Sequence, residues 1–431
     1  MITTKQKEER LILVTVCTGQ MEFAERSLDE LEDLVDTAGG VTVGRLIQNR
    51  EQIHPGTYLG SGKLDELIEM IYQTRADGIV CDDELSPAQL RNMEDILKTT
   101  IMDRTLVILD IFAKHATTHE GKIQVELAQL KYRAARLVGL RASLSRLGGG
   151  IGTRGPGEKK LEADRRYIHE RISVLKAELR EVVRHREITR QKRSGSMLPM
   201  AAIVGYTNAG KSTLFNRLTG AGVLAEDQLF ATLDPAVRVM ETEEGQKLLL
   251  SDTVGFINKL PHNLIEAFRS TLEETRYADM IIHVVDASDP QMDLHMYVVY
   301  DTLRELGITD KPVITVFNKM DAVRRAQQEV RPSGEAFGEP EMPVRIYRDS
   351  RADAVFRISA ADGQGVSELE KGILKLLRAQ SVFVEKLFPY EKAGKVQLIR
   401  QYGQLLEEEY TEDGIQVKGY IPSQLFGQLY E

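Results

Sequence analysis

Cysteine is nearly absent from this chain of 431 residues: Cys17 and Cys81 are the only two, each inside an apolar run. Thiols so placed read as buried and reduced, which argues against a disulfide framework and for a reducing compartment. Long hydrophobic runs are missing too, since no stretch approaches the roughly 18 apolar residues of a membrane-spanning helix. The opening Met1-Ile-Thr-Thr-Lys-Gln-Lys-Glu-Glu-Arg10 has no apolar core of the kind a secretory leader needs. A cytoplasmic monomer without a membrane span is expected. Metal-ligand spacing is equally lacking around His283, which lies mid-strand in Met280-Ile-Ile-His-Val-Val-Asp286 and reads as a packed histidine. Positive charge is scarce on average, with 56 Lys and Arg against 65 Asp and Glu and a net charge of −9, and that balance argues against nucleic-acid binding. The average conceals a strong segregation along the chain.

What is present is apolar material, 42% of residues, enough for about three or four domains of the usual size. The expected class is multidomain α/β. Residues 1–115 alternate strands and helices as a small α/β domain: Leu11–Val16 and Val41–Ile47 are strand-like, Glu25–Ala38 has helical spacing, and Gly78–Cys81 and Thr105–Leu109 continue the strand pattern. Within it Gly60-Ser-Gly-Lys63 precedes a helical stretch. It reads either as a tight turn capping that helix or as a second phosphate site, without the full spacing of a phosphate-binding loop (P-loop).

Residues 116–195 turn helical. Thr117-Thr-His-Glu120 has the form of a capping box, and Ile123, Leu127, Leu130, Ala134 and Leu137 follow at spacings of four and three. A second series runs Leu161, Ile168, Ile172, Leu175, Leu179, Val182. Two such helices around a glycine-rich break predict an antiparallel hairpin, each burying its seam on the other. The break, Leu147-Gly-Gly-Gly-Ile-Gly-Thr-Arg-Gly-Pro-Gly157, is too poor in side chains to build a core. It is either a linker or a segment that fits closely against a partner. Charge favours a partner: from Lys131 to Ser194 there are 18 Lys and Arg against seven Asp and Glu, a surplus of 11 that leaves −20 for the rest of the chain. Such a basic arm suits a phosphate backbone, although a charge-rich solvated helix face has the same composition.

Residues 196–380 carry the chemistry. The apolar run Met200–Val204 leads into Gly205-Tyr206-Thr207-Asn208-Ala209-Gly210-Lys211-Ser212, and Thr213-Leu-Phe-Asn-Arg-Leu218 continues as a helix. Strand, glycine-rich turn and helix form the context in which GxxxxGK[ST] cradles phosphates through backbone N–H groups. Lys211 would reach the β- and γ-phosphates, and Ser212 would hold Mg2+. The strand Lys247–Ser251 delivers Asp252-Thr253-Val254-Gly255, whose aspartate can hold the metal through water and whose glycine N–H can approach the γ-phosphate. The run Pro312–Phe317 ends in Asn318-Lys319-Met320-Asp321, where the Asp321 carboxylate can accept from two adjacent donors of guanine; adenine has no such pair. After Val355–Ile358, Ser359-Ala360-Ala361 brings a backbone N–H toward the guanine O6. All four segments in order, each at a strand end, predict GTP and GDP binding on a mostly parallel sheet. Beyond Ser381, residues 381–431 read as a small α/β appendage packed on this domain, with a helix at Ala393–Tyr402 and strands Leu405–Tyr410 and Ile415–Tyr420.

The glycine-rich break ahead of the P-loop, Asp103-Arg-Thr105, Leu85-Ser-Pro-Ala-Gln89, Ile123-Gln-Val-Glu-Leu127 and Phe230-Ala-Thr-Leu-Asp-Pro235 together resemble the HflX family of ribosome-associated GTPases over nearly the whole chain. The resemblance implies binding to the large ribosomal subunit and its RNA, and splitting or rescue of ribosomes under stress. It implies that Thr232 of the first switch completes the Mg2+ shell and acts with Lys211 and Gly255 in catalysis. It implies a tip directed at the peptidyl-transferase region, with Gly148, Gly149, Gly150, Arg154, Lys159, Lys160, Arg165 and Arg166 as RNA-contacting residues. Lys159 and Lys160 stand where an uncharged Thr-Gln is expected in many relatives.

Phe256 follows Gly255 where small GTPases commonly carry a water-orienting glutamine: either hydrolysis is slow until a partner completes the site, or Phe256 merely packs and another side chain of this chain is catalytic. Asn208 either helps to hold K+ near the phosphates or suits the turn geometry of the loop. Residues Arg324–Arg351, rich in Pro, Gly and charge, read as a mobile insertion. A GTP-switched assembly chaperone and an ATP-driven RNA remodeller are the competing functions.

Overall fold

The structure, a computed structural model, describes residues 8–147, 156–193, 198–220, 229–230, 236–242, 244–259, 275–329 and 347–430, with the side chains of 138–147, 156–161, 186–193, 328–329, 424, 428 and 430 excepted. The glycine-rich tip from Gly148 to Gly155 and Thr232 lie outside these residues. The chain forms two compact units, one of residues 1–184 with 228–230 and 259–268, the other holding the remainder.

In the first unit, β1 (Glu9–Cys17), β2 (Gly40–Asn49), β3 (Gly78–Cys81) and β4 (Thr100–Asp103) make a parallel sheet in the order β2-β1-β3-β4. A central parallel strand must be apolar on both faces, and residues 11–17 of β1 are all buried. Helix α1 (Met21–Thr37) buries Leu28, Leu31, Leu34 and Val35, the leucine and valine spacing evident in the sequence. Helices α2 (Ser61–Thr74) and α3 (Pro87–Leu97) complete the crossovers. Thr105–Leu109 is not a strand; it lies inside helix α4 (Arg104–His115). Asp103 ends β4 and caps α4, accepting from the Leu106 N–H at 3.0 Å, so the strand stops one residue before the apolar run starts.

Behind the ends of β3 and β4 the unit buries charge. Asp82 is fully buried and accepts from Arg104 at 2.9 Å and from Ser27 at 2.6 Å, and the Lys259 ammonium contacts both Asp82 and, at 2.8 Å, Asp83. Burial pushes the Asp82 carboxyl up, and Arg104 and Lys259 more than offset it, holding it below the usual range.

Helices α5 (His119–Leu147) and α6 (Pro156–Arg193) meet along the expected seam, with Ile123, Leu127, Ile172 and Leu175 buried and Leu130, Ala134, Ile168, Leu179 and Val182 packed around them. Arg171 grips both Glu126 oxygens across the pair, at 2.7 and 3.0 Å. The cap sits one residue later than the capping-box spacing predicts: Thr118 accepts from the Gly121 N–H, while Glu120 accepts from Gln124. Arg165 is half-buried and Arg166 exposed.

In the second unit, β5 (Met200–Gly205), β6 (Ala236–Glu241), β7 (Lys247–Asp252), β8 (Met280–Asp286), β9 (Val313–Asn318) and β10 (Ala354–Arg357) form one sheet in the order β10-β9-β8-β5-β7-β6. Only β6 is antiparallel, so the sheet is mostly parallel as expected. Helix α7 (Lys211–Thr219) follows β5, α8 (Met292–Glu305) follows β8 and α9 (Met320–Glu329) follows β9. The predicted insertion is thus partly regular structure: α9 takes its first residues, and near its end Asp349 accepts from Thr315 at 2.6 Å and from Tyr300. Helix α10 (Val366–Gln380) runs into an antiparallel sheet of β11 (Ser381–Phe388), β12 (Gln404–Thr411) and β13 (Gly414–Pro422), whose inner face packs on α11 (Ala393–Tyr402) and α12 (Ser423–Tyr430). This appendage is fastened to the turn between β6 and β7: Gln404 donates to Glu244 at 2.8 Å and accepts from Arg378 at 2.7 Å.

Candidate nucleotide-binding site

The site is built from four strand ends. β5 stops at Gly205, the loop turns through Asn208 and Gly210 at positive φ (57° and 89°), and α7 begins at Lys211. Gly210 has to be glycine, because a Cβ there would collide with the Asn318 side chain. Asparagine tolerates left-handed backbone, so Asn208 satisfies the turn reading outright. Lys211 is buried beneath the loop and donates to the Tyr206 carbonyl at 2.7 Å. Burial lowers its pKa from 10.5 to about 8, with Asp252 opposing that shift. Ser212, followed by Thr213 in the first turn of α7, donates to Asp252 Oδ2 at 2.8 Å. A hydroxyl and a carboxylate so close at a phosphate cradle are hard oxygen donors that fit Mg2+.

Thr253 donates to the Ile203 carbonyl at 2.7 Å, which ties the segment after β7 to β5. Val254, Phe256 and Ile257 are buried, and Gly255 is left facing the P-loop, where a Cβ would stand 2.8 Å from Thr207 Cα and 3.0 Å from Lys211 Nζ. Phe256 is packed inward, in keeping with its inability to orient a water.

At the base end, Asn318 bridges two loops, donating to the Ala209 carbonyl and accepting from the Ala360 N–H, both at 2.9 Å. Lys319, at positive φ, pairs with Asp286 at 2.8 Å, and the Met320 N–H donates to Ile358. Asp321 accepts from Ser359 at 2.8 Å and from Arg325 at 2.7 Å, and the Ser359 hydrogen bond heads the causes that hold its carboxyl below the usual range. Sequence reasoning missed Arg217: from α7 it donates to the carbonyls of Ala360, at 3.2 Å, and Ala361. A contact across more than 140 residues leaves no trace in local spacing.

Gly60 and Lys63 do not form a comparable cradle. The Gly60 N–H donates to Gln48 at 2.8 Å and Lys63 pairs with Glu66, which is the capping turn. His283 is packed as expected, edge-on to Tyr300 with ring centroids 5.1 Å apart, and burial lowers it to about 4. Cys17 and Cys81 are buried free thiols, and among the described residues no helix is long and apolar enough to cross a membrane.

This chain is 63% identical over 429 residues to the GTPase HflX of Lacrimispora saccharolytica, with 100% of this chain and 97% of the relative covered. The chain belongs to the HflX family. The GTPase HflX of Caldanaerobacter subterraneus is 46% identical, covering 98% and 93%, and that of Escherichia coli K12 is 39% identical, covering 94% and 91%. Three family models match in order: "GTP-binding GTPase N-terminal" over residues 25–113, "GTP-binding GTPase Middle Region" over 115–193 and "50S ribosome-binding GTPase" over 200–319. As an HflX-family protein the chain is a GTPase, binding guanine nucleotide and hydrolysing GTP to GDP and phosphate.

Proposed function

We propose that this HflX-family GTPase binds the large ribosomal subunit and, coupled to GTP binding and hydrolysis, dissociates stalled ribosomes in the cytoplasm under stress. The observation that carries the reading is the charge surplus of 11 between Lys131 and Ser194, concentrated on a two-helix arm in a chain that is otherwise strongly acidic. Counterion release from phosphates would drive the arm onto RNA, and Gly148, Gly149, Gly150, Arg154, Lys159, Lys160, Arg165 and Arg166 would supply the contacts near its tip. The description "50S ribosome-binding GTPase" of the matching family model supports the same partner.

Four parts divide the work: residues 1–115, the arm 116–195, the GTPase part 196–380 and the appendage 381–431. In the GTPase part, Gly205, Tyr206, Thr207, Asn208, Ala209, Gly210, Lys211, Ser212 and Thr213 hold the phosphates, with Asp252, Thr253, Val254 and Gly255 at the γ-phosphate. Asn318, Lys319, Met320, Asp321, Ser359, Ala360 and Ala361 read the base. Ser212 and Thr232 would hold Mg2+, which neutralises charge on the transferring phosphoryl group, and Asn208 is the candidate to admit K+. Phe256, turned inward, does not orient the water, and the reading assigns that role to a partner, so ribosomal subunits should raise turnover by about a hundredfold. Sedimentation of intact ribosomes with the protein and GTP tests the reading. Subunits should separate; ribosomes that stay intact while free large subunits still bind would identify an assembly chaperone instead.

A further inference from the structure

We propose that Tyr206, the second residue of the P-loop, is a positioning residue that presets the Asp252–Asn258 segment for the γ-phosphate, and that His295 holds it in place. Pairing between β5 and β7 reaches Ile203 and Asp252, breaks at the Asp252–Gly255 turn, and resumes as an isolated bridge between Tyr206 and Phe256. Two backbone bonds make that bridge: the Phe256 N–H donates to the Gly205 carbonyl at 3.0 Å, and the Thr207 N–H donates to the Phe256 carbonyl at 2.7 Å. Any residue at position 206 would permit both. A third bond needs a tyrosine, because the phenol oxygen reaches past the bridge and accepts from the Asn258 N–H at 2.7 Å.

The ring is itself fixed. Tyr206 is only 7% exposed, and its face stacks on the His295 imidazole of α8 with centroids 3.7 Å apart and planes 9° from parallel. With residues 256 to 258 held on both sides, Phe256 and Ile257 turn inward and Gly255 has one place to be, against Thr207 and Lys211. A γ-phosphate then meets a backbone donor already in position, so no ordering cost is taken out of binding or out of the transition state. GDP has no γ-phosphate and gains nothing. The phenol therefore discriminates GTP from GDP without touching either, an inference that rests on GTP binding alone and not on the ribosome.

The test uses the full chain, with affinities for GDP and for a non-hydrolysable GTP analogue in Mg2+, and single-turnover hydrolysis at saturating GTP. Tyr206→Phe keeps the stacked ring and the backbone N–H that residue 206 offers the phosphates, and removes the phenol hydroxyl that accepts from Asn258. We expect analogue affinity to fall by about five- to tenfold, the worth of one hydrogen bond, GDP affinity to stay within about twofold, and the saturated rate to fall. His295→Ala should shift the same ratio, and His295→Phe, which restores a ring face, should recover it. Equal losses for GDP and analogue, or an unchanged ratio in Tyr206→Phe, would overturn the proposal by reducing Tyr206 to packing.

Discussion

Burial holds the Lys211 ammonium at about 8, against an ordinary value of 10.5, and that single residue gives nucleotide binding a pH signature. A bound polyphosphate favours the charged form and raises the pKa in the complex. Below about pH 8 the lysine is already protonated and binding moves no proton there; above it, binding takes one up and affinity falls as pH rises. Calorimetry in buffers of different ionisation enthalpy should find uptake approaching one proton at pH 9, where the nucleotide's own phosphates are fully ionised. Zero uptake at pH 9 would mean that Lys211 is not desolvated in the free protein. For folding the sign is the reverse of a stabilising pair: the unfolded chain binds more protons between about 8 and 10.5, so the nucleotide-free protein gains stability with pH across that window. Lys211 itself was legible in the sequence because its role depends on position within eight residues. The contacts of the Tyr206 phenol, Asn258 and Arg217 were not, because they depend on partners that the fold brings to them.

Among the elements, the arm was the easiest to read and residues 1–115 the hardest. The heptad-like series named the seam from Ile123 to Ala134 and from Ile168 to Val182, since a two-helix interface projects directly onto sequence spacing; Leu137 is not part of the packed cluster, and the Leu161 side chain lies outside the described ones. The five-residue apolar run Thr105–Leu109 carries no such period, and an Asp103 cap, which consists of one side chain meeting one N–H, decided for helix. The seam also sets a measurable stability. Leu175 is almost wholly buried at its centre, so Leu175→Ala should cost about 2 to 5 kcal/mol locally. Hydrogen exchange should show protection lost in α5 and α6, with GTP affinity held within about twofold. Protection lost equally in the GTPase sheet would mean that the hairpin does not fold as its own cooperative element.

Across the whole molecule, charge is partitioned along the chain: the basic arm stands against −20 elsewhere, and the nucleotide site is assembled from backbone and a few buried groups. Binding to large subunits should accordingly weaken by about fiftyfold or more between 50 and 200 mM salt, if at least four phosphates are neutralised. GTP affinity should change little over the same range. A flat salt response of subunit binding would remove the arm from the contact. Whole-chain composition could not reveal this, since the net charge of −9 averages two opposite surfaces.

Asp82 bears on how such a protein is cut into pieces. Its burial is compensated by Arg104 and by Lys259, and Lys259 comes from a stretch of chain far beyond the end of α6. A fragment stopping at Arg184 would contain the buried acid without one of its two cations. The carboxyl would move up toward the value that burial alone sets, and the stability that a depressed aspartate lends above its pKa would shrink. Residues 1 to 184 in isolation should therefore unfold at lower denaturant than the same residues in the intact chain, and a difference between fragment and whole has that missing lysine as a cause before any regulation is invoked.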